Sequence, residues 1–373
     1  MDIQQLKKIA GYLSPIIKAI NFPAAFLSGK SLNMEKAILW PVIESYSNFS
    51  KDSVIQYTTI PKNIDTVTPI NNNPNSYANI AIILQGPVRY EDDFTLNTIK
   101  LYRKFFPDVK LILSTWKGLS QSYIAQVQKY GCNVVESYPP SIAGAGNINM
   151  QLESAYEGIK KAYELGCVYS LKTRTDQRIY ANDSLDYLIN LQTLFPSGDN
   201  NIVKKRLIYI SYGKSFIYLP FNLCDFLVFG ETRELDKLYG IERDTREVGY
   251  HRQYEKEQKK FNRLISDNLE NSRLGNPYTL FPDFEDQYYK YMYAEYYIVY
   301  KYYSENIAPI SSGDNLLELY HSYLKDFAIV ADAEKLLIYW PKYATNNIKN
   351  ETELDYLAKL DFKKWMEIYL DKI

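Results

Sequence analysis

Short apolar runs alternate with amphipathic segments along the middle of the chain. The apolar runs lie at 80–84, 109–114, 133–136 and 168–172. Apolar residues at helical spacing fill the intervals, at about 92–106, 120–130 and 149–165. Because parallel strands need helical crossovers of this length, the pattern predicts an α/β fold. We expect an open, mainly parallel twisted sheet flanked by helices, Rossmann-like in its first half.

The pattern also divides the chain into regions. Later strands are predicted at 206–210 and 225–230, a strand pair at 327–330 and 336–340, and a final amphipathic helix from about Glu351. The turn-prone run 70–76 marks a first boundary. We predict a helical N-terminal extension (1–76), a core (77–245), a charged helical insertion (246–275), and a C-terminal region (276–373) that completes the core and ends in an appendage.

Composition narrows the function. The net charge of −1 provides no broad positive field, so we expect no nucleic-acid partner. The three cysteines lack paired spacing, which favours buried thiols in a reducing, cytoplasmic compartment. The amphipathic segment 3–20 packs on the core or, alternatively, lies on the inner face of the cytoplasmic membrane as a peripheral contact. With only two histidines, carboxylates are the natural acid and base groups.

Ligands of open α/β sheets bind beyond the carboxyl ends of the strands, so residues there are the first candidates. Gln85, Gly86 and Pro87 follow the first strand and form either a simple turn or a nucleotide contact. Thr115 and Trp116 end the second strand, where the indole either stacks on a base or belongs to the core.

The fourth strand leads into Lys172, Arg174, Asp176 and Arg178, and strand alternation predicts all four on one face. This charge needs partners, because burying unpaired ions is costly. One interpretation is an exposed edge strand with ion pairs. The other is a ligand site, in which the arginines neutralise a diphosphate and Asp176 holds a divalent cation or a sugar hydroxyl.

Three further groups are candidates for sugar or acceptor chemistry. Asn149 and Gln151 precede the long helix, where they bind sugar hydroxyls or, alternatively, cap and begin the helix. Glu285 and Asp286 come just before a Tyr-rich segment, 288–303. They are either acidic residues in a first helical turn or the general base. Asp225 is a weaker acceptor-side candidate of the same kind.

Four stretches of the sequence resemble the WavE family of bacterial lipopolysaccharide-synthesis proteins. They are 81–88, 111–117, 147–151 with its helix, and 171–180, with weaker similarity at 225–230 and 340–343. The resemblance covers roughly 78–343, and its most specific part is the string Lys-Thr-Arg-Thr-Asp-Gln-Arg-Ile from Lys172.

The resemblance implies a GT-A type glycosyltransferase that uses a nucleotide-sugar donor and a lipopolysaccharide or capsular polysaccharide acceptor, a glycan or glycolipid. By that analogy 77–245 is the nucleotide-sugar-binding core and 276–373 the acceptor side. The metal-binding Asp-x-Asp motif falls at Asp176-Gln177-Arg178, where the second carboxylate is missing. A cation, Mn²⁺ or Mg²⁺, at Asp176 and an inverting displacement with Glu285 or Asp286 as base are the resulting expectations. A sugar nucleotidyltransferase and a non-catalytic glycan-binding assembly factor are the alternatives.

Overall fold

The computed structural model describes residues 61, 64–67, 77–198, 202–211, 215, 217, 219–246, 294–311, 313–341 and 359–371. The chain divides into two units, Met1–Thr59 and Ile60–Ile373, and every described residue lies in the second. Nearly all of the predicted extension (1–76) and of the charged insertion (246–275) lies outside the described residues. The regional boundaries therefore stay predictions.

A seven-stranded sheet forms the centre of the described unit. Its strands are β1 (Ile80–Gln85), β2 (Lys110–Trp116), β3 (Cys132–Ser137), β4 (Tyr169–Arg174), β6 (Leu207–Ser211), β7 (Val228–Glu231) and β8 (Ala328–Asp332). Their order across the sheet is β3-β2-β1-β4-β7-β6-β8. Only β7 runs antiparallel to its neighbours. The predicted mainly parallel α/β sheet is confirmed.

Helices cover the sheet. In the described ranges they are α1 (Phe94–Phe105), α2 (Gln121–Gln128), α3 (Ile148–Glu164), α4 (Ser184–Leu194), α5 (Thr232–Tyr239), α6 (Ala294–Asn306), α7 (Leu316–Asp326) and α8 (Phe362–Tyr369). Right-handed crossovers place α1 and α2 on the face opposite α3, because β3-α3-β4 returns across the sheet. None of these helices combines the length and hydrophobicity that a bilayer-spanning segment requires.

Close packing fixes α3 on the sheet. At Gly158, an added Cβ would lie 2.5 Å from Ile83 Cγ2 and 2.9 Å from Ser114 Cβ. Only a residue without a side chain lets the helix approach β1 and β2 this closely. The first turns of α3 are thereby held over the carboxyl ends of these two strands.

The C-terminal strand pair is a correction. Strand β8 lies beside β6 in the main sheet, whereas β9 (Ile338–Tyr339) pairs with the short strand β5 (Arg178–Ile179). A short 3₁₀ helix and Leu337, in the left-handed region at φ 49°, separate β8 from β9. This turn prevents the two segments from pairing with each other and directs β9 back to the end of β4.

Candidate functional site

The carboxyl ends of β1 and β4 are level, and β2 continues two residues farther, to Trp116. Gln85 pairs with Ser114 on one side and Arg174 on the other. The chain leaves β1 toward β2, and the returning crossover brings β4 to the opposite side of β1. Such a topological switch point forms a crevice in which open α/β sheets bind ligands. Three of the predicted residues, Gln85, Gly86 and Arg174, meet there.

The loop after β1 and the turn after β4 are joined. Gly86 has φ +113°, and an added Cβ would meet Thr175 Oγ1 at 3.4 Å. The Thr175 hydroxyl donates to the carbonyl of Pro87 at 2.6 Å, and the Thr175 amide donates to that of Gln85 at 3.1 Å. A glycine is favoured here because side-chain-bearing residues rarely adopt this positive φ.

The start of α3 lies over Gln85. Its Nε2 donates to Ser154 Oγ at 2.7 Å, while the buried Oε1 accepts no hydrogen bond from the described residues. Gln151 lies one turn before Ser154 on the sheet-facing stripe and is half-buried. Helical periodicity puts Gln151 on the same side of α3 as Ser154, and its predicted ligand contact stays a prediction.

Arg174 and Asp176 form a bidentate ion pair in the mouth of the crevice. Arg174 Nε and Nη2 donate to the two Asp176 oxygens at 2.8 and 3.1 Å. The guanidinium lies 5.1 Å from the centre of the Trp340 ring and 5.9 Å from that of Phe226. The two side chains are 23% and 21% exposed, so solvent reaches both. The pair is a cation and an anion held in fixed geometry.

Asp176 stays ionised in this setting. Burial opposes ionisation, but the Arg174 hydrogen bond and charge, with the Trp340 hydrogen bond, outweigh it and lower the pKa of the carboxyl. Trp340 Nε1 donates to Asp176 Oδ2 at 3.1 Å. Both oxygens of this carboxylate therefore already accept hydrogen bonds from cationic or polar groups.

Lys172 and Asp225 lie behind this pair and are 0% and 2% exposed. Lys172 Nζ donates to the Asp225 carbonyl at 2.6 Å and lies 4.0 Å from its Oδ2. Burial lowers the pKa of Lys172 to about 8, opposed by the Asp225 charge, and burial raises the pKa of Asp225. Neither side chain contacts the surface, so the predicted direct ligand contact of Lys172 is not supported by its position.

The prediction that residues 172, 174, 176 and 178 share one face is wrong. Strand β4 ends at Arg174, and Arg178 begins β5 in a separate two-stranded sheet. Arg178 is 3% exposed. Its nitrogens donate to Thr98 Oγ1, Tyr180 Oη and the Phe94 carbonyl, all at 3.0 Å. Arg178 thus packs α1 against β5 and does not reach the crevice, contrary to its predicted diphosphate contact.

Asn149 is also placed differently. Its Nδ2 donates to the carbonyls of Ile142 and Asp244 at 2.9 and 2.8 Å, and its Oδ1 accepts from the Asp244 amide. The buried amide therefore joins two loops and has no capacity for the predicted sugar contact. It is not the helix cap either, because α3 begins at Ile148 after Asn147.

The remaining candidates divide into described and undescribed residues. Thr115 is buried in β2, and the half-buried Trp116 ends that strand beside Ser137. Glu285 and Asp286 lie outside the described residues, so their role stays a prediction. Sequence reasoning missed Phe226 and Trp340 as site residues. Trp340 lies at the end of a predicted strand and in a region of weaker family resemblance. These two features were the signal that could have identified it as a site residue.

The donor set at Asp176 does not fit a divalent cation. Mg²⁺ and Mn²⁺ prefer several oxygen ligands, usually including carboxylates. Asp176 already accepts two hydrogen bonds from Arg174 and one from Trp340, and Arg178 stands where the motif has its second carboxylate. Among the residues that the structure describes, no three side chains of the metal-binding types come together.

Known protein families and solved structures both include matches to this chain. The WavE lipopolysaccharide synthesis family matches residues 80–271, which is more than half of the chain. A solved cytidylyltransferase from Leptospira borgpetersenii serovar Hardjo-bovis is 13% identical, with a TM-score of 0.26. That match covers 45% of this chain and 66% of the other, just under two thirds of its length. No curated protein matches. The family match spans β1, β4 and the crevice residues Gln85, Arg174 and Asp176, although not Trp340, and the chain belongs to the WavE lipopolysaccharide synthesis family.

Proposed function

We propose that this protein is a GT-A type glycosyltransferase that moves a sugar from a nucleotide-sugar donor to a lipopolysaccharide or capsular polysaccharide acceptor. The Arg174–Asp176 pair at the switch point between β1 and β4 is the observation that carries the proposal. A crevice at this position suits a nucleotide, and a guanidinium in its mouth suits a diphosphate.

Arg174 supplies the leaving-group stabilisation in this proposal. Negative charge grows on the diphosphate as its bond to the sugar breaks, and a preoriented guanidinium stabilises that charge. Asp176 and the rings of Phe226 and Trp340 hold the guanidinium in place before the donor binds. Preorientation lowers the reorganisation needed in the transition state. The cation predicted from the sequence is not used, because Asp176 does not fit one.

The side-chain amides of Gln85 and Gln151 bind hydroxyl groups of the donor in this proposal. Gln85 Oε1 is a buried acceptor without a partner in the described part of the chain, and Gln151 lies one helical turn before Ser154, to which Gln85 donates. Sugar and ribose hydroxyls donate to such acceptors, and an unpartnered buried acceptor is costly until a donor reaches it. We assign both amides to the donor.

The acid-base half of the reaction belongs to Glu285 or Asp286 in this proposal. A carboxylate there removes the proton from the acceptor hydroxyl as that oxygen attacks the anomeric carbon. The nucleoside diphosphate leaves from the opposite side, so the configuration inverts. The acceptor is a glycan or glycolipid, in keeping with membership of a lipopolysaccharide-synthesis family.

A thermal-shift panel of nucleoside diphosphates and nucleotide sugars, in EDTA and with Mn²⁺ or Mg²⁺, tests the proposal. The nucleoside diphosphate and nucleotide sugars of one base should raise the melting temperature in EDTA. A ligand at 100 times its Kd adds about 2.7 kcal/mol to the free energy of unfolding. Asp176→Asn should weaken this shift, because Arg174 loses the carboxylate that fixes its guanidinium, and this loss outweighs the removal of a negative charge beside the diphosphate. The matched control is Glu334→Gln, an exposed acidic residue, which should behave like the wild type.

Three results would overturn the proposal. Full transfer activity of Asp176→Asn on the cognate substrates would remove this site from catalysis. Consumption of a nucleoside triphosphate with release of pyrophosphate would indicate a nucleotidyltransferase. Saturable glycan binding without any nucleotide-sugar binding would indicate an assembly factor.

A further inference from the structure

A buried polar cluster lies behind the Arg174–Asp176 pair. Lys172 and Arg174 are two residues apart on one face of β4, so their charges point to the same side of the sheet. Asp225 lies beside them in the segment that leads into β7, and Phe226, the next residue, contacts Arg174. The cluster is therefore connected to the mouth of the crevice.

Among the described residues, the Asp225 carboxylate has no hydrogen-bond partner beyond its own backbone amide. Both oxygens are buried, and Lys172 Nζ lies 4.0 Å from Oδ2, which is too far for a hydrogen bond. Lys172 instead donates to the carbonyl of the same residue at 2.6 Å. A buried ion pair is stable when its carboxylate is well hydrogen-bonded, and this one is not. The geometry accommodates a pair that gains and loses a proton.

Other charged or titratable groups face the pair. Arg174 and Asp176 lie on the same segment as Lys172 and act on it with opposite signs, and Cys224 acts from the segment before β7. Tyr239 of α5 places its ring 5.3 Å from Lys172 Nζ, and its buried hydroxyl has no hydrogen-bond partner in the part of the chain that the structure describes. Tyr209 of β6 faces Asp225. Apart from Asp225, Asp176 is the nearby carboxylate, and it is already paired with Arg174.

We propose that Lys172 and Asp225 are a proton reserve behind the diphosphate site: the pair takes up a proton from solvent when a diphosphate binds at Arg174. Lys172 then adds a second positive charge behind the guanidinium. The inference rests on the proposed function for the identity of the anion. In this inference the two residues act on the ligand through the positive charge behind Arg174, and they do not contact the ligand directly.

The free-state pKa of Lys172, about 8, sets the pH window. Above this pH the pair has lost its proton, and an incoming anion favours the charged form again, which raises the pKa. A rise of about one unit gives an uptake of about half a proton at pH about 8.5 and almost none at pH about 6.5. Affinity should therefore fall as the pH rises through 8.

Calorimetry in two buffers of different ionisation enthalpy measures this uptake. The ligand is whichever of ADP, CDP, GDP, UDP and dTDP binds, and the matched nucleoside is the control without phosphate. A phosphate group is already fully ionised well above pH about 6, so it contributes no proton itself. We expect uptake with the diphosphate and none with the nucleoside. Binding of the diphosphate without uptake would overturn the inference and leave the proposed function intact.

Two variants separate this role from a structural one. Lys172→Met should bind the diphosphate about tenfold more weakly and without uptake. Asp225→Asn should move the uptake window to lower pH, because Lys172 loses the carboxylate that favours its charge. If Lys172→Met does not fold, Asp225→Asn decides the question. An unchanged window in Asp225→Asn, or unchanged uptake in Lys172→Met, would overturn the role.

Pyrophosphate serves as a second probe, because it carries the charge without a base or sugar. If no nucleoside diphosphate binds but pyrophosphate shows Lys172-dependent uptake, the proposed function fails and the proton reserve stands. If neither anion binds, both are overturned.

Discussion

Arg174 and Arg178 lie four residues apart and have different surroundings. Arg174 ends β4 and faces solvent and the crevice, whereas Arg178 is enclosed by α1 and Tyr180. From the sequence, both arginines were predicted to bind a diphosphate. The sequence shows that both are charged, but it does not show that the strand ends between them. The turn at Thr175–Gln177, fixed by the Thr175 contact with Pro87, creates the difference.

Glutamine substitutions at the two arginines are matched tests. Arg178→Gln removes buried charge-assisted hydrogen bonds and should lower the free energy of unfolding by about 3 kcal/mol, while the folded protein binds nucleotide normally. Arg174→Gln should lower the free energy of unfolding by less, about 1–2 kcal/mol, because its ion pair is partly exposed, but should weaken diphosphate binding by about 2 kcal/mol, or about 30-fold.

Urea denaturation and titration with the nucleoside diphosphate measure the two effects separately. The same substitution thus gives the larger stability defect at one position and the binding defect at the other. Wild-type affinity in Arg174→Gln would contradict the assignment of the crevice.

At the level of elements, the sequence predicted β1 to β4 and their connecting helices well. Their apolar runs are long and buried, and the helices repeat apolar residues on one side. The short ribbon of β5 and β9 was not predictable, because two-residue strands carry no periodicity and pair across 160 residues of sequence. Lys172 and Asn149 were misjudged for a related reason: polar residues in the interior look the same in sequence as polar residues at a ligand.

Helix α3 depends on Gly158 for its distance from the sheet. Gly158→Ala should lower the free energy of unfolding by about 1–2 kcal/mol, since overpacking outweighs the better helix propensity of alanine. Chemical denaturation measures this, and Glu157→Ala, in a solvent-accessible ion pair on the same helix, is the control with an effect within about 0.5 kcal/mol.

A double variant tests the cause. Ile83→Ala removes the Cγ2 atom that the new Cβ would meet at 2.5 Å. Gly158→Ala should therefore cost less in this background than in the wild type. Equal costs in both backgrounds would show that contact with Ile83 does not set the position of α3.

At the scale of the whole described unit, distant parts of the chain meet at Asp176. The carboxylate lies just after β4, and Trp340, 164 residues later, donates to it after β9 returns from the edge strand β8. The periodicity of the chain predicted the strands but not this path, which depends on the turn at Leu337. The site is therefore complete only when the C-terminal strands have folded onto the first half of the sheet.

Trp340→Phe tests whether this long-range contact serves the site. Phenylalanine keeps an aromatic ring against Phe226 but loses the Nε1 donor, so the free energy of unfolding should fall by only about 1 kcal/mol. Diphosphate affinity should fall several-fold, because Asp176 then holds Arg174 less firmly. Trp340→Ala is the contrasting variant, with a loss of stability of about 3 kcal/mol or more from the missing ring.

Acid unfolding gives an independent measurement of the contact between Trp340 and Asp176. Burial opposes ionisation of Asp176, but Arg174 and Trp340 lower its folded-state pKa below the ordinary 3.8. Its ionised form thus stabilises the fold above that value, and this stabilisation is lost as the pH falls through the lowered pKa. Trp340→Phe removes one lowering cause, so acid unfolding should begin at higher pH than in the wild type. Identical acid limbs, together with unchanged diphosphate affinity, would show that Trp340 only packs against Phe226 and takes no part in the charge balance of the crevice.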